Sequence, residues 1–571
     1  MGPRREDGQH HAELVAFRST VACIAFAASG ALAAPPVVGT HGMVVTAQHL
    51  ATKVGVDVLK AGGNAIDAAV AVGYALAVVY PAAGNLGGGG FMTIRLADGR
   101  KTFIDFREKA PLAAKRDMYL DRAGDVVPKA SLLGHLAVAV PGSVAGLEYA
   151  REKYGTLKRA PLVAPAIALA DEGFTLEAGD VRALAGATKE LRNDKPGAAI
   201  FLEDGNTRSP GSRLVQKDLA RTLRAVSERG VDGFYKGPVA QAIVTSNRAG
   251  GGILSMEDFA RYRPREMAPL ECDYRGYRIV SAPPPSSGGV IVCEILHILE
   301  GYPMRELGLR SAQSIHFQIE AMRHAFVDRN GYLGDPDFVK NPIARLLDKQ
   351  YAARIRAAID PAKAASSRSL AVGTPPHEGT NTTHYSIVDA AGNAVAVTYT
   401  LNGSFGAHVV AEGTGVLLNN EMDDFTVKLG EANLFGLVQG EPNMIEPGKT
   451  PLSSMSPTIV LRDGKPVIVA GTQGGSRIIT AIVHALVNVI DYGLDIQEAV
   501  DAPRFHQQWL PEETVAERLS IPPEARRALE AQGQRIRDGR AWGHMCAIAI
   551  ANGRYYGAND SRGGTGLALG Y

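Results

Sequence analysis

Between Ala358 and Thr380 the sequence AIDPAKAASSRSLAVGTPPHEGT loses every apolar period, and immediately beyond it the pattern changes from helical to extended. A run rich in Ser, Ala and Pro carries too little apolar surface to build an element, so it reads as an exposed, flexible segment. It divides the chain into a mostly helical front portion and a β-rich back portion. Two hairpins stand out in the back portion: Thr383 to Val388 against Ala394 to Thr400, and Thr458 to Leu461 against Val467 to Ala470 over Asp463-Gly464. In the front portion, Leu50 to Lys60 has a helical pattern that stops at Gly62-Gly63. Asn64 is placed to cap a second helix, Ala65 to Tyr80, which Pro81 ends. That helix is apolar nearly all round, as a helix buried between layers would be. The turn Gly84 to Gly90 leads into a third hairpin, Phe91 to Leu96 and Thr102 to Phe106, and helical patterns dominate from there to about Arg265. Strands sandwiched by helices predict a layered α+β protein without internal repeats.

Length alone, 571 residues, would suggest several domains, and a composition of 46% hydrophobic and 21% charged residues is enough for a large core. With 60 Lys+Arg against 59 Asp+Glu there is no basic surface for nucleic acid. Val21 to Ala34, VACIAFAASGALAA, follows Arg18 and contains Ala31-Leu32-Ala33. It reads as a secretory signal cleaved after Ala33, being too short and too rich in small residues to span a bilayer. Residues 1–33 are therefore expected to be removed, leaving a periplasmic or secreted protein that is not held in a membrane. Glu6, Asp7 and Glu13 suit a signal poorly, which predicts a translation start near Val15. Cys23 leaves with the signal; Cys272, Cys293 and Cys546 allow at most one disulfide.

Several familiar signatures fail. There is no complete G-x-S-x-G elbow. Gly448-Lys449-Thr450 ends like a phosphate loop, but Asn443 stands where the first glycine is needed. His316, Glu320 and His324 share a helix face without forming H-E-x-x-H, so no metal is expected. Gly84 to Gly90 does not follow a strand in a βαβ unit, so it reads as a tight turn, and no cofactor is expected.

The chemistry concentrates where the aperiodic segment ends. At Asn381-Thr382 a threonine meets a strand. Its hydroxyl can attack the preceding carbonyl, free itself as a new N-terminus, and then use its own α-amine, with a pKa near neutrality, as general base. The β-branched pair Thr382-Thr383 also reads simply as the start of a strand, and on its own favours that reading. Folding the hairpin symmetrically about Ala391 sets Thr382 opposite Thr400, a second hydroxyl able to orient the first. A one-residue slip would undo this. Gly471 to Ser476 lies between a strand and a helical run starting near Arg477, an arrangement that presents backbone N–H groups to an anion or oxyanion; it is also an ordinary turn.

The segment Asn381 to Ser386 resembles the autocleavage motif of the gamma-glutamyltransferases, members of the N-terminal nucleophile hydrolases. Leu418 to Phe425, Pro451 to Pro457 and Gly474 to Arg477 match the family too, as do Gly62 to Ala68, Gly87 to Gly90 and Asp105 to Glu108. The resemblance runs from about Gly42 to Tyr571. It implies a four-layer αββα sandwich built jointly by two chains, a large one of 34–381 and a small one of 382–571, after cleavage between Asn381 and Thr382. It implies Thr382 as nucleophile, Thr400 as its hydroxyl partner, and the N–H groups of Gly474 and Gly475 as oxyanion hole. Arg107, Ser453 and Ser454 would hold the substrate α-carboxylate, the planar guanidinium suiting it. Asn402, Glu421 and Asp424 would take the α-ammonium. The implied donors are glutathione and other gamma-glutamyl compounds; the implied acceptors are water, amino acids or dipeptides. Phe435 stands where some bacterial relatives carry a lid tyrosine, and Pro442, Pro447 and Gly448 make the lid Glu441 to Thr450 distinctive.

Two rivals remain at this level. A glutaryl or cephalosporin acylase of the same superfamily acts on substrates without an α-ammonium, which leaves Asp424 without an ionic partner. A non-catalytic peptide-binding relative would not need Thr382, Thr400, Arg107 and the double glycine together.

Overall fold

In the computed structural model, which describes residues 34–367 and 382–571, the helix Ala65–Val79 is buried along its whole length. Its start is set by a capping box: the Asn64 side chain accepts from the N–H groups of Ile66 and Asp67, and Asp67 accepts from the Asn64 N–H. The preceding helix, His49–Lys60, packs beside it. The elements described here belong to the compact unit Pro35–Tyr571.

Behind these helices lie two antiparallel sheets, each of seven strands among the described residues. The front sheet runs in the order Leu567–Gly570, Met43–Thr46, Thr383–Val388, Ala394–Thr400, Gly89–Arg95, Lys101–Phe106, Arg265–Met267. The back sheet runs Val37–Gly39, Arg554–Asn559, Cys546–Ala551, Lys465–Gly471, Thr458–Arg462, Tyr277–Ser281, Leu270–Tyr274. Residues before 368 and after 381 thus supply neighbouring strands to both sheets.

Strand alternation sorts the side chains into layers. Tyr385, Ile387, Val395, Val397 and Tyr399 join the core shared with the front helices, and the Tyr399 hydroxyl donates to Gly73 O at 2.9 Å. Val388, Ala394 and Ala396 face the other way, onto Ile459, Val469 and Ile548 of the back sheet. The far side of the back sheet packs Ile279, Val460 and Ile468 against the helices Gly288–Glu300, Ala312–Tyr332 and Arg477–Ile490. Helix, sheet, sheet, helix is the four-layer αββα sandwich that the family resemblance implied.

The hairpins and helix starts read from the sequence stand within a residue or two of their expected places. The aperiodic segment is the correction. Its beginning is packed: His316 Nε2 bonds Asp360 O at 2.9 Å, the Ala364 N–H donates to Gln532 O at 2.8 Å, and Ser367 is buried, taking Arg323 Nη1 on its hydroxyl at 2.7 Å and Trp509 Nε1 on its carbonyl at 2.9 Å. A stretch with no apolar period can still dock when other elements satisfy its backbone polar groups. The remainder of the segment, with Asn381, and the signal sequence lie outside the described residues. Cys272 and Cys293 form a disulfide between strand and helix of the back half, and Cys546 is free and buried. Among the described residues no helix is long and apolar enough to cross a membrane.

The Gly84 to Gly90 turn is a close-packed plug against the front sheet. Asn85 Nδ2 donates to Thr400 O at 2.8 Å while Asn85 Oδ1 accepts the Gly88 N–H at 2.9 Å. A Cβ added at Gly88 would overlap the Thr400 carbonyl oxygen, which is backbone and cannot rotate away. Gly88→Ala is therefore expected to destabilise the protein by about 1–3 kcal/mol through overpacking, read as a lowered apparent Tm in thermal denaturation.

Candidate active site

The hairpin that ends the aperiodic segment keeps one register throughout, from Val388 opposite Ala394 to Thr383 opposite Tyr399. The next position along places Thr382 opposite Thr400, both almost fully buried. They line one small pocket together with Arg107, Asn402, Glu421, Asp424 and Ser453. Thr400 Oγ1 accepts the N–H of Asn402 at 2.8 Å, and Asn402, in a left-handed conformation (φ 73°), donates from Nδ2 to Asn420 O at 3.0 Å. Asn402 thus turns the chain out of the strand and onto the cavity wall.

Arg107 follows directly on the strand Lys101–Phe106. Its backbone is pinned by Asp105 Oδ1, which accepts the Arg107 N–H at 2.9 Å, and by the Tyr262 hydroxyl, which donates to Arg107 O at 2.9 Å. Its guanidinium meets carboxylates on three sides: Glu421, Asp424 at 2.5 Å and Glu108 at 3.8 Å, all buried. Glu421 and Asp424 come from one short 3-10 turn, Glu421–Asp424. Asn419 ties that turn to the glycine plug, accepting the Glu421 N–H at 3.0 Å and donating to Gly87 O at 2.8 Å. Asp423, in the same turn, points elsewhere: it accepts from Ser131 Oγ at 2.7 Å and from the Leu434 N–H at 2.8 Å, anchoring the segment above the cavity.

Burial dominates the electrostatics. It raises the carboxyls of Glu421 and Asp424 above their ordinary range, the Arg107 charge working against it in both. Glu108 is pushed up to about 7 by the same desolvation. Burial alone would weaken the Arg107 charge, but Glu421, Asp424 and Glu108 more than offset it and raise its pKa.

Ser453 and Ser454 reach the cavity from the loop before the strand Thr458–Arg462. Ser453 is held through its backbone, the N–H donating to Pro285 O at 2.9 Å. The Ser454 hydroxyl accepts from Arg329 Nη2 at 3.0 Å, not from Arg107. Gly475 also lines the cavity, just before the helix Arg477–Ile490; Gly474 stands immediately behind it and is not a lining residue. Phe435 closes over Gly475, leaving no room there for a Cβ. With no hydroxyl on that ring, the lid is held through its backbone: Gln508 Nε2 donates to Phe435 O at 3.1 Å and Gly436 O at 3.0 Å, and Gln508 Oε1 accepts from Ser476 Oγ at 2.6 Å. Within the lid, Lys449 is buried and paired with Glu446 at 2.8 Å, so the phosphate-loop likeness carries no free lysine.

Four lining residues escaped the sequence reading, Arg329, Leu437, Met455 and Ile478, and of these Arg329 alone is charged. Arg329 lies on the helix Ala312–Tyr332, whose apolar and polar residues are both buried, so no amphipathic face flags it. His316, on the same helix, uses its ring nitrogens on Asp360 O and on Gln534 at 3.2 Å.

A cavity with two opposed threonines at a strand end, inside a four-layer sandwich, defines the N-terminal nucleophile class of hydrolases. The sequence matches the profile described as Gamma-glutamyltranspeptidase over residues 51–570. It is 64% identical over 547 residues to a glutathione hydrolase proenzyme of Pseudomonas sp. strain A14, covering 94% of this chain and 95% of that protein. It is 49% identical to the glutathione hydrolase proenzyme of Escherichia coli K12, covering 94% and 93%. The fold is similar to the crystal structure of a cephalosporin acylase from Bacillus halodurans, with a TM-score of 0.83, 28% identity and coverage of 94% and 97%. The chain belongs to the gamma-glutamyltranspeptidase family.

His384, two residues beyond Thr382, is no general base. Its ring nitrogens bond Thr398 Oγ1 at 2.8 Å and Ser386 Oγ at 3.0 Å between the sheets, and burial without a charged partner pushes its pKa down to about 3. The unfolded chain binds that proton near pH 6.5, so between these values the unfolded state holds more protons and stability falls as the pH drops. The apparent stability of wild type should therefore fall more steeply than that of His384→Gln below about pH 6.5, by about 1.4 kcal/mol per pH unit. Above that pH the two should run parallel; thermal denaturation across a pH series checks it.

Proposed function

We propose that the chain is made as a secreted precursor that cuts itself before Thr382 and then transfers gamma-glutamyl groups from glutathione and related compounds to water, amino acids or short peptides. The observation that carries this reading is the one cavity shared by Thr382, Thr400, a buried arginine and two buried carboxylates. A zwitterionic amino-acid head needs a cation on one side and anions on the other.

In maturation the Thr382 hydroxyl oxygen attacks the Asn381 carbonyl carbon, and the C–N bond to Thr382 breaks as the acyl group moves to oxygen. Water then cleaves the ester, leaving Asn381 with a carboxylate and Thr382 with a free α-amine. In turnover that amine takes the hydroxyl proton as Thr382 attacks the gamma-carbonyl. The Thr400 hydroxyl orients the nucleophile, and the N–H groups of Gly474 and Gly475 stabilise the oxyanion. The proton passes to the departing amine, and water or an acceptor amine releases the glutamyl group from its ester. The large chain 34–381 and small chain 382–571 stay together because both supply hydrogen-bonded neighbouring strands to each sheet. An acylase reading is served less well, since a glutaryl side chain offers nothing to the Asp424 and Glu421 carboxylates.

Purified protein should run as two fragments, the smaller starting at Thr382 on N-terminal sequencing, and should turn over a gamma-glutamyl anilide, with an acceptor dipeptide changing the rate if transfer competes with hydrolysis. Thr382→Ala should remain one inactive chain; a cut and active variant would overturn the assignment. Thr400→Ala should slow both maturation and turnover while folding. Asp424→Asn should lose about 30- to 3,000-fold on gamma-glutamyl substrates, the range for truncating one partner of a desolvated charge pair, and little on glutaryl analogues. Equal losses on the two substrates of the same processed variant would mean that Asp424 does not read the ammonium.

A further inference from the structure

The stretch just upstream of the proposed cleavage point is gripped by residues from beyond it. Each polar group of Ser367 is taken by a side chain: Glu512 Oε1 accepts its N–H, Arg323 Nη1 donates to its hydroxyl at 2.7 Å, and Trp509 Nε1 donates to its carbonyl at 2.9 Å. Arg323 is itself braced from the back portion, donating to Gln534 Oε1 at 3.0 Å. Earlier in the same stretch the Ala364 N–H donates to Gln532 O at 2.8 Å. A buried serine whose polar groups are all matched by side chains is specifically recognised, not merely covered. On the two-chain reading above, Trp509, Glu512, Gln532 and Gln534 belong to the small chain, and the arm 360–367 belongs to the large one.

Trp509 has a backbone φ of 72°, a left-handed conformation that a bulky residue keeps only where its surroundings impose it. Two bonds brace it: Gln507 Oε1 accepts the Trp509 N–H at 2.8 Å, and Ser367 O holds the indole. The residue before it, Gln508, is bonded at both ends of its amide. Oε1 accepts from Ser476 Oγ at 2.6 Å and bonds His506 Nε2 at 2.8 Å, while Nε2 donates to Phe435 O at 3.1 Å and Gly436 O at 3.0 Å. Ser476 follows Gly475 in the chain, and the Phe435 ring packs on Gly475. Two adjacent residues, Gln508 and Trp509, therefore hold the loop of Gly474 and Gly475 on one side and the large-chain arm on the other.

We propose that Ser367 and Trp509 form a latch by which the arm of the large chain positions the active-site loop of the small chain. Docked Ser367 keeps Trp509 in its left-handed turn, and that turn keeps Gln508 on Ser476 and on the segment over the pocket. Both are positioning residues, and neither lines the pocket that holds Thr382. A donor displaced by an ångström can lose about a hundredfold in rate, so a contact this far from the nucleophile can still act on turnover. The latch rests on the gamma-glutamyl and two-chain reading above, and gives the large chain a part in catalysis beyond supplying Arg107.

The test uses fully processed enzyme and a gamma-glutamyl anilide. Trp509→Phe keeps an aromatic ring and deletes the N–H given to Ser367; Ser367→Ala deletes the hydroxyl that takes Arg323. Each should lower kcat about tenfold, as a buried group left without its hydrogen-bond partner does, with KM within about twofold, because the loop serves the transition state and not the substrate head. Combined, they should lose no more than the larger single loss, since either one undoes the same docking. Gln508→Leu should lose kcat in the same way, and adding Trp509→Phe to it should change nothing further. A merely structural Trp509 would lower Tm and leave kcat of the processed enzyme intact, or would add its loss to that of Gln508→Leu; either result overturns the proposal. If Trp509→Phe yields no processed enzyme, Ser367→Ala and Gln508→Leu carry the same test, and an unchanged kcat or additive losses there are equally fatal. Wild-type turnover keeps the two levels apart: without it the gamma-glutamyl reading falls, and with it a normal kcat in the variants removes only the latch.

Discussion

The register of one hairpin underlies the site. Thr383–Val388 and Ala394–Thr400 pair without a slip, and a shift by one residue would turn Thr382 from the inter-sheet side to the side of the front helices. Both ends of the hairpin are tied down. At the turn, Asp389 accepts from the Asn393 N–H at 2.9 Å and from the Ala65 N–H at 2.8 Å, so the start of the central buried helix also fixes the turn. At the open end, Asn85 and the glycine plug hold the Thr400 carbonyl. Helix cap, hairpin turn and the two cavity threonines are therefore joined in one hydrogen-bonded frame.

The sandwich explains how so many charges can be buried together. Two sheets and two helical layers keep water from the ends of the inner strands, and in that medium an ion survives only with partners. Arg107 with Glu421, Asp424 and Glu108 forms a mutually supporting cluster in which burial and Coulomb attraction oppose each other. Arg329, among serines and amides, has hydrogen bonds but no contacting counter-ion among the described residues. A cavity built this way gathers buried groups of both signs of charge on its walls, at a cost in stability.

The wall over the cavity is joined to the site through backbone atoms more than through side chains. Asp423 holds the Leu434 N–H, Gln508 holds the carbonyls of Phe435 and Gly436, and Gln439 and Asn443 donate to Asp424 O at 3.0 and 2.6 Å. The turn that presents Asp424 is thus braced by the segment that covers it. A phenylalanine in that segment serves by packing on Gly475, a role that needs no hydroxyl.

Much was legible in the residues themselves because the signals were local. Asn64 with Asp67 marks a helix start, Asp463-Gly464 marks a hairpin turn, and the symmetry of the stretch about Ala391 already pairs Thr382 with Thr400. The roles of Thr382, Arg107 and the serines came from motifs that resemble a family and still await direct test. Other features depend on contacts between residues far apart in the chain. Nothing near Ser367 foretells that Trp509, Arg323 and Glu512 bury it, and nothing near Arg329 foretells that Ser454, Gln439 and Ser287 surround it. Helix caps, turns and strand periods follow from neighbours along the backbone, so the sequence by itself determined the elements and the register that sets Thr382 opposite Thr400. Which buried charges meet a counter-charge, and which meet only neutral partners, depends on side chains converging from separate layers, and only the tertiary structure decided that.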